Sequence, residues 1–299
     1  AIAEAISMSF EAGVRLQISH LKAQNPNNWH KGPAMLDLIE KARRDGLDIA
    51  FDRYPYIAFS TGLTTFIPLD GRQGSNDDII SRLKDKTTAA EFGKYAESRF
   101  ARLGGAKNVV ISSCSSPENK EAYMGKNLEE CARKAGKSEW EFVRDLLIDE
   151  KLAPDIVAFA MSEDNVRMFL SHPLAMPASD GSVYSPQGPL SLTIPHPRSY
   201  GTFPRFLGKY CRDEKLMDLS QAIKKVSSLP ASRLGFKDRG LLVPGYRADI
   251  VVFDQAAIID KATFENPHRF PEGIHHIWVN GEHTLKDGLH TGTLAGMVL

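Results

Sequence analysis

An α/β fold organised on a parallel sheet or a (β/α) barrel is the architecture this sequence predicts, with an inserted α+β subdomain and a small C-terminal β module. Three observations lead there. A helix, a glycine and a short strand follow one another twice before residue 57, and each strand runs into polar, reactive side chains. A stretch of charge-rich helices then interrupts the pattern, and the chain closes in β-type segments joined by an Asn-Gly turn.

The first unit begins with helix-forming residues 1–12, in which Ile2, Ile6 and Phe10 recur at four-residue spacing, and Gly13 stands where a helix would stop. Residues 14–19 alternate apolar and polar side chains and run into His20. In the second unit, residues 35–44 form an amphipathic helix with Leu36, Leu38 and Ile39 inward. Gly46 closes it, and the strand 47–51 leads into Asp52-Arg53-Tyr54-Pro55-Tyr56. Reactive groups at the C-terminal ends of successive parallel strands are what such sheets and barrels display.

From 77 to 149 charged helices dominate around one apolar strand, 108–112, which reads as an insertion with its own turn signals at Gly104-Gly105 and Pro117. Residues 157–161 and 174–179 are expected as buried extended segments around an amphipathic helix, 163–170, and the second ends in Ser179-Asp180-Gly181. A helix at 219–226 follows. Residues 248–254 carry the strongest β pattern in the chain, and 274–285 read as a hairpin about Asn280-Gly281. The division expected is therefore 1–76 and 153–239 as sheet-and-helix segments, 77–152 as the insertion and 240–299 as the β module.

Composition narrows the function. The 299 residues are 42% hydrophobic, enough for a substantial core, and 37 basic side chains balance 37 acidic ones. That balance offers no footprint for nucleic acid or an anionic membrane, so a small-molecule partner is expected. Cys114, Cys131 and Cys211 are odd in number and without CxxC spacing, which argues against a disulfide framework or cysteine zinc cluster and for a reducing, cytoplasmic setting. No apolar stretch reaches the length of a membrane span.

Four places could carry chemistry. His20 at a strand tip could ligate a metal, with Lys22 facing the same mouth, although a lone strand-end histidine also serves as a hydrogen-bonded structural residue. Asp180 could take a proton from an attacking water and return it to a leaving group; an aspartate beside glycine also forms turns or caps. Arg198, on the proline-stiffened loop Pro195-His196-Pro197, suits a substrate carboxylate or a surface ion pair. Tyr54 could donate its hydroxyl to the same anion or simply pack. His30, His172, His275, His276, His283 and His290 read as structural or surface residues, and neither HxH nor HExxH occurs.

Taken in order, QISHLK at 17–22, DRYPY at 52–56, ASDG at 178–181, HPRSYGTFPRFLG at 196–208, SLPASRLGFKDRG at 228–240, GYRADIVVFD at 245–254 and VNGE at 279–282 resemble the N-acyl-D-amino-acid deacylases, or D-aminoacylases, of the amidohydrolase superfamily. The resemblance implies the C-terminal strands of a (β/α)8 TIM barrel, the sixth ending at His20, the seventh near Tyr54 and the eighth at Asp180. It implies zinc as cofactor, His20 as a zinc ligand, Asp180 as the catalytic aspartate beside the metal, and Lys22, Tyr54 and Arg198 as the grip on the substrate's α-carboxylate. The reaction implied is hydrolysis of an N-acyl-D-amino acid to a carboxylate and a free D-amino acid.

The departures matter as much. The family's HxH, bridging cysteine and fifth-strand histidine are expected ahead of Ala1, and one imidazole with one carboxylate falls short of the roughly three protein ligands of a catalytic zinc site. The segment alone is therefore expected to be inactive. The stretch 182–193 also exceeds the usual link to HPR. Two rivals remain: a cyclic-amide hydrolase of the hydantoinase or dihydroorotase kind, which lacks the HPR loop, and an inactive remnant that binds small carboxylates.

Overall fold

Leu16, Ile18, Ile49, Phe51 and Ala175 pack with Ile2, Ile6, Leu36 and Ile39 in one apolar cluster, and this lamination fixes how the chain's first portion folds. The computed structural model describes residues 1–298. Strands β1 (Leu16–Ile18) and β2 (Ile49–Arg53) pair in parallel, Leu16 opposite Ile49. The helices Ile2–Ala12 and Gly32–Arg44 precede them. Period-2 alternation sends Gln17 and Asp52 to the opposite face, where they line an open cavity of about 330 Å³ with Met176 and Arg233. β1 is shorter than its pattern suggested. Val14 lies outside the ladder and is exposed.

β3 (Ala58–Gly62), β4 (Val109–Ser113) and β5 (Asp155–Phe159) form a separate antiparallel sheet in the order β3-β5-β4. Sequence reading confined the insertion to 77–152 and gave 157–161 to the parallel portion. The sheet instead draws β3 from before those limits and β5 from beyond them. β5 misleads because it is central: Ile156, Val157 and Ala158 are all buried, and a strand covered on both faces is an apolar run with no alternation to betray its sheet type. Around this sheet lies the largest apolar cluster, with Phe66, Phe92, Phe100, Trp140 and Leu147 among its members.

The helices of this region start at side-chain caps. Ser75 with Asp78, and Ser138 with Glu141, form reciprocal capping boxes. Glu150 does similar work from a distance. Its carboxylate, 4% exposed, accepts from the Ser115 and Ser116 amides, from Ser116 Oγ at 2.7 Å and from Asn119 Nδ2 at 2.6 Å, organising the start of the helix Pro117–Tyr123. Burial works to raise its pKa, but the donors from Asn119, Ser116 and Ser115 prevail and hold it below the ordinary glutamate value. Its stabilising contribution is therefore complete above the unfolded pKa and is lost as pH falls through the depressed folded one. Glu150→Ala removes the charged acceptor shared by the Ser115 and Ser116 amides, Ser116 Oγ and Asn119 Nδ2, and is expected to cost about 2 to 3 kcal/mol. A urea titration at neutral pH measures it, and the gap between variant and parent should close under acid conditions.

β6 (Ala175–Pro177) returns to the first sheet and pairs in parallel with β2, giving the order β1-β2-β6. The helix Glu163–Ser171 packs Phe169 against that sheet. Arg198–Arg205 is helical with Pro204 inside it, and the chain continues as a π-helix over Phe206–Asp213. Proline lacks the N–H that an α-helical turn needs, and a widened turn immediately after it absorbs the defect. Gly208 in that wide segment lies against the Ile258 backbone. A Cβ there would run into the Ile258 carbonyl oxygen and come within 2.8 Å of Ile259 Cδ1. Gly208→Ala is therefore expected to destabilise by about 1 to 3 kcal/mol, seen as a lowered Tm. An unchanged melt would mean the two segments part freely.

β7 (Ile250–Phe253), β8 (Ile274–Val279), β9 (Glu282–Lys286) and β10 (Leu289–His290) make a third, antiparallel sheet. The hairpin between β8 and β9 turns where expected. Asn280 at φ 51° and Gly281 at φ 86° supply the two left-handed residues of a type I′ turn. Among the described residues no helix is long and apolar enough to cross a membrane.

Candidate functional site

The two outer strands of the parallel sheet end alike. Shortly past β1 and β6, His20 at φ 43° and Asp180 at φ 48° each adopt the left-handed backbone conformation that few residues other than glycine, asparagine, aspartate and histidine enter. Each is held there by specific partners. The His20 amide donates to Asp52 Oδ1 at 2.7 Å, and Gln17 Nε2 donates to Asp52 Oδ2 at 2.9 Å. After Asp180, Gly181 packs so closely on Ser199 that a Cβ would come within 2.6 Å of its Oγ.

Between these tips lies Tyr54, fully buried just beyond the end of the middle strand. Three cations surround its ring: Arg53 with its guanidinium carbon 4.5 Å from the centroid, Arg198 at 4.8 Å and Lys22 Nζ at 5.5 Å. Lys22 and Arg198, from opposite edges of the sheet, thus both lie over the Tyr54 ring. Their other contacts reach back to the strand tips. Lys22 Nζ lies 2.7 Å from His20 Nδ1 and donates to the His20 carbonyl at 3.0 Å. Arg198 Nη1 lies 2.7 Å from Asp180 Oδ2.

The donors here are incompletely used. Tyr54 Oη is buried without a hydrogen-bond partner, and Arg198 Nη1, although ion-paired with Asp180 by distance, makes no aligned hydrogen bond. Distance licenses the electrostatic attraction and misalignment denies the directional bond, so Nη1 retains donor capacity. Burial raises the Tyr54 pKa and keeps the phenol protonated as a donor. Burial, reinforced by Arg53 and Arg198 and opposed by Asp180 and Asp52, pushes the Lys22 ammonium down to about 7. An anion entering among these groups would restore the full charge of Lys22.

Three residues that sequence reasoning passed over support the cluster. Asp52 secures the His20 backbone. Arg53, 1% exposed, donates from Nη2 to the Tyr56 carbonyl at 2.8 Å. His196 is buried, with Nε2 3.0 Å from the Ala58 carbonyl, and its Nδ1 accepts the Arg198 amide at 3.0 Å. A carbonyl can only accept and an amide can only donate, so His196 carries its proton on Nε2. Burial and then the Arg198 charge hold its pKa well below the usual histidine value, leaving it a neutral strut for the Arg198 loop. The only signal for all three was position: they sit inside DRYPY and PHPR, beside residues singled out for chemistry.

The residues expected to bind a metal are a different matter. Among the described residues no group of three or more His, Cys, Asp or Glu side chains could hold a metal ion. His20 Nδ1 faces Lys22 Nζ, and Asp180 faces Arg198. As arranged, these donors do not fit a bound metal. The 330 Å³ cavity beneath the sheet includes Asp52 but none of His20, Lys22, Tyr54, Asp180 or Arg198, and it is a separate feature.

Comparison with known proteins gives this cluster its context. The model of the amidohydrolase family matches residues 11–284. D-aminoacylase of Alcaligenes xylosoxydans xylosoxydans is 33% identical over 300 aligned residues, covering 100% of this chain and 51% of that protein. A structure of D-aminoacylase concerned with its binuclear metal center aligns with TM-score 0.75 and 33% identity over 99% of this chain and 52% of that one. N-acyl-D-glutamate deacylase from Bordetella bronchiseptica, in complex with zinc and a phosphonate mimic of the tetrahedral intermediate, aligns with TM-score 0.73 and 31% identity over 95% and 49%. The chain thus spans about half the length of these relatives. With a match that runs unbroken through both strand tips, the Tyr54 cluster and most of the third sheet, the chain belongs to the amidohydrolase family.

Proposed function

We propose that the protein to which this segment belongs hydrolyses the amide bond of N-acyl-D-amino acids, releasing a carboxylate and a free D-amino acid. The observation that carries the reading is the buried, under-used donor set of Tyr54 Oη and Arg198 Nη1, joined by Lys22, with the Asp180 carboxylate at its edge. Buried donors without partners are costly, and a carboxylate ligand would satisfy them together. The α-carboxylate of an acyl amino acid is such a group, and it would bring the adjacent amide toward the strand tips. D-aminoacylase and N-acyl-D-glutamate deacylase, to which the chain is similar, support the substrate class.

In this reading Asp180 is the proton carrier. It receives a proton from the attacking water and delivers it to the departing amine, so that the amide C–N bond breaks as a neutral amine leaves. Lys22, Tyr54 and Arg198 hold the carboxylate. One enantiomer alone would then direct its side chain into the free part of the pocket, because the anion grip and the reacting carbonyl fix two of the four substituents around Cα. The parallel strands are read as the last three of a (β/α)8 barrel, with the intervening antiparallel sheet as an insertion and the final sheet as part of a small β domain. Zinc is the ion proposed for the whole protein, with His20 and Asp180 as the donors from this segment and further ligands from the half of the relatives' length that it does not span.

The test is hydrolysis by the full-length protein. N-acetyl-D-amino acids are expected to be cleaved at least tenfold faster than their L-enantiomers, with bound zinc found by elemental analysis. Preference for a hydantoin or dihydroorotate would favour the cyclic-amide alternative, and a metal-free, inert protein the remnant one.

A further inference from the structure

Three residues of the helix Arg198–Arg205, at i, i+3 and i+7 and so on one face, meet the segment 54–56. Arg198 lies over the Tyr54 ring at 4.8 Å. Gly201 makes room for Tyr56: a Cβ there would strike the Tyr56 hydroxyl and come within 2.7 Å of Asp260 Cβ. Arg205 donates from Nε to the Pro55 carbonyl at 2.8 Å, and its guanidinium carbon stands 4.8 Å from the Tyr56 ring centroid. Its Nη1 reaches Asp260 Oδ2 at 3.2 Å, the same oxygen that accepts the Tyr56 hydroxyl at 3.2 Å. Arg205 therefore touches both residues that follow Tyr54, one through its backbone and the other through its side chain.

We propose that Arg205 is a positioning residue for Tyr54: by fixing Pro55 and Tyr56 it sets where the Tyr54 ring stands against Arg198. The link between them is short and stiff. The Tyr56 amide donates back to the Tyr54 carbonyl at 3.0 Å, closing a three-residue turn whose middle φ the proline ring fixes. Two residues held at one end of such a turn leave the third little freedom. Arg53 closes the other side by donating to the Tyr56 carbonyl at 2.8 Å. The Tyr54 hydroxyl makes no hydrogen bond, so the ring is placed from its backbone and not from its tip. An ion pair with Asp260 would account for only part of this arrangement. The shorter of the two Arg205 bonds, 2.8 against 3.2 Å, goes to an uncharged carbonyl. A planar fork can serve that carbonyl and the Asp260 carboxylate at once, which a single ammonium does poorly. The positional claim rests on these contacts, and its kinetic consequence rests on the functional reading, in which Tyr54 helps to hold the substrate.

The test is fluorine NMR of the full-length protein labelled with meta-fluorotyrosine, beside steady-state hydrolysis of an N-acetyl-D-amino acid. Loss of one signal in Tyr54→Phe assigns the Tyr54 resonance. Arg205→Met keeps an unbranched stem without the fork. It should move the Tyr54 resonance by more than its line width and lower kcat/KM about tenfold, a fraction of the cost of a misplacement of about 1 Å, with KM bearing most of the loss. Arg205→Lys should restore part of both. Lys209→Met is the control: Lys209 lies one turn further on and pairs with Glu163 and Glu214, and both readouts should keep their parent values. Melting curves establish that the variants are folded, and should Arg205→Met not fold, Arg205→Lys carries the test with a smaller shift. An unmoved Tyr54 resonance in the Arg205 variants overturns the proposal. So does an equal shift in Lys209→Met, because general loosening of the helix is then the cause. The functional reading fails separately. A protein that cleaves no N-acyl-D-amino acid refutes that reading while the resonance still decides about Arg205, and a displaced resonance with unchanged KM supports the positioning and removes Tyr54 from the substrate grip.

Discussion

Asp180→Asn in the full-length protein should reduce hydrolysis of N-acyl-D-amino acids by about 10³-fold or more, the scale on which a positioned proton carrier acts, while leaving the fold intact. The substitution is close to isosteric. Asparagine tolerates the left-handed conformation that Asp180 adopts at φ 48°, so the strand tip keeps its shape and the melting temperature should hardly move. The amide cannot accept and return a proton at neutral pH. Zinc content has to be measured beside the rate, since Asp180 is also a proposed donor to the ion. Near-normal turnover with full zinc would remove Asp180 from proton transfer altogether.

Arg198→Ala should raise KM for the same substrates by roughly 10- to 100-fold, the equivalent of losing a charge-assisted hydrogen bond of about 1.5 to 3 kcal/mol. Arg198 is 8% exposed and anchored at its backbone by His196, so few water molecules can replace the guanidinium. kcat should fall by less, because the reacting carbonyl is held from the other end of the substrate. Lysine at 198 is expected to rescue only in part, since it cannot reproduce a planar fork over the Tyr54 ring. An unchanged KM in the alanine variant would move the anion site away from this cluster.

The two variants also separate the roles of neighbouring groups. Asp180 and Arg198 touch, so removing either alters the other, and their effects are not expected to add. A double variant no worse than Asp180→Asn alone would mean that Arg198 acts only through a working proton carrier.

Much of the site was readable in one dimension because the reactive groups follow directly on strand endings. Alternation over 14–19 leads to His20, the second helix-strand unit to Tyr54, and the apolar segment before Ser179 to Asp180. Strand ends are local events, so a local pattern finds them. The assignment of 157–161 to the parallel portion failed for the complementary reason. Which sheet a strand joins is decided by partners distant in sequence, and β5 pairs with residues 58–62 and 109–113. Asp52, Arg53 and His196 escaped because their work is to hold other residues, and nothing in a residue's own identity records whose backbone or ring it will support.

By itself, then, the order of side chains determined the α/β character, the Asn280-Gly281 hairpin, the family and the short roll of residues able to bind an anion or move a proton. Those properties reside in backbone preference, hydrophobic period and motif, all of which act over a few positions. Only the folded chain decided that Lys22 and Arg198, from opposite edges of the parallel sheet, would both lie over the ring of Tyr54, and that one would turn toward His20 and the other toward Asp180. That outcome depends on the parallel order β1-β2-β6 and on how far each charged side chain can reach, quantities that exist only once distant segments have packed.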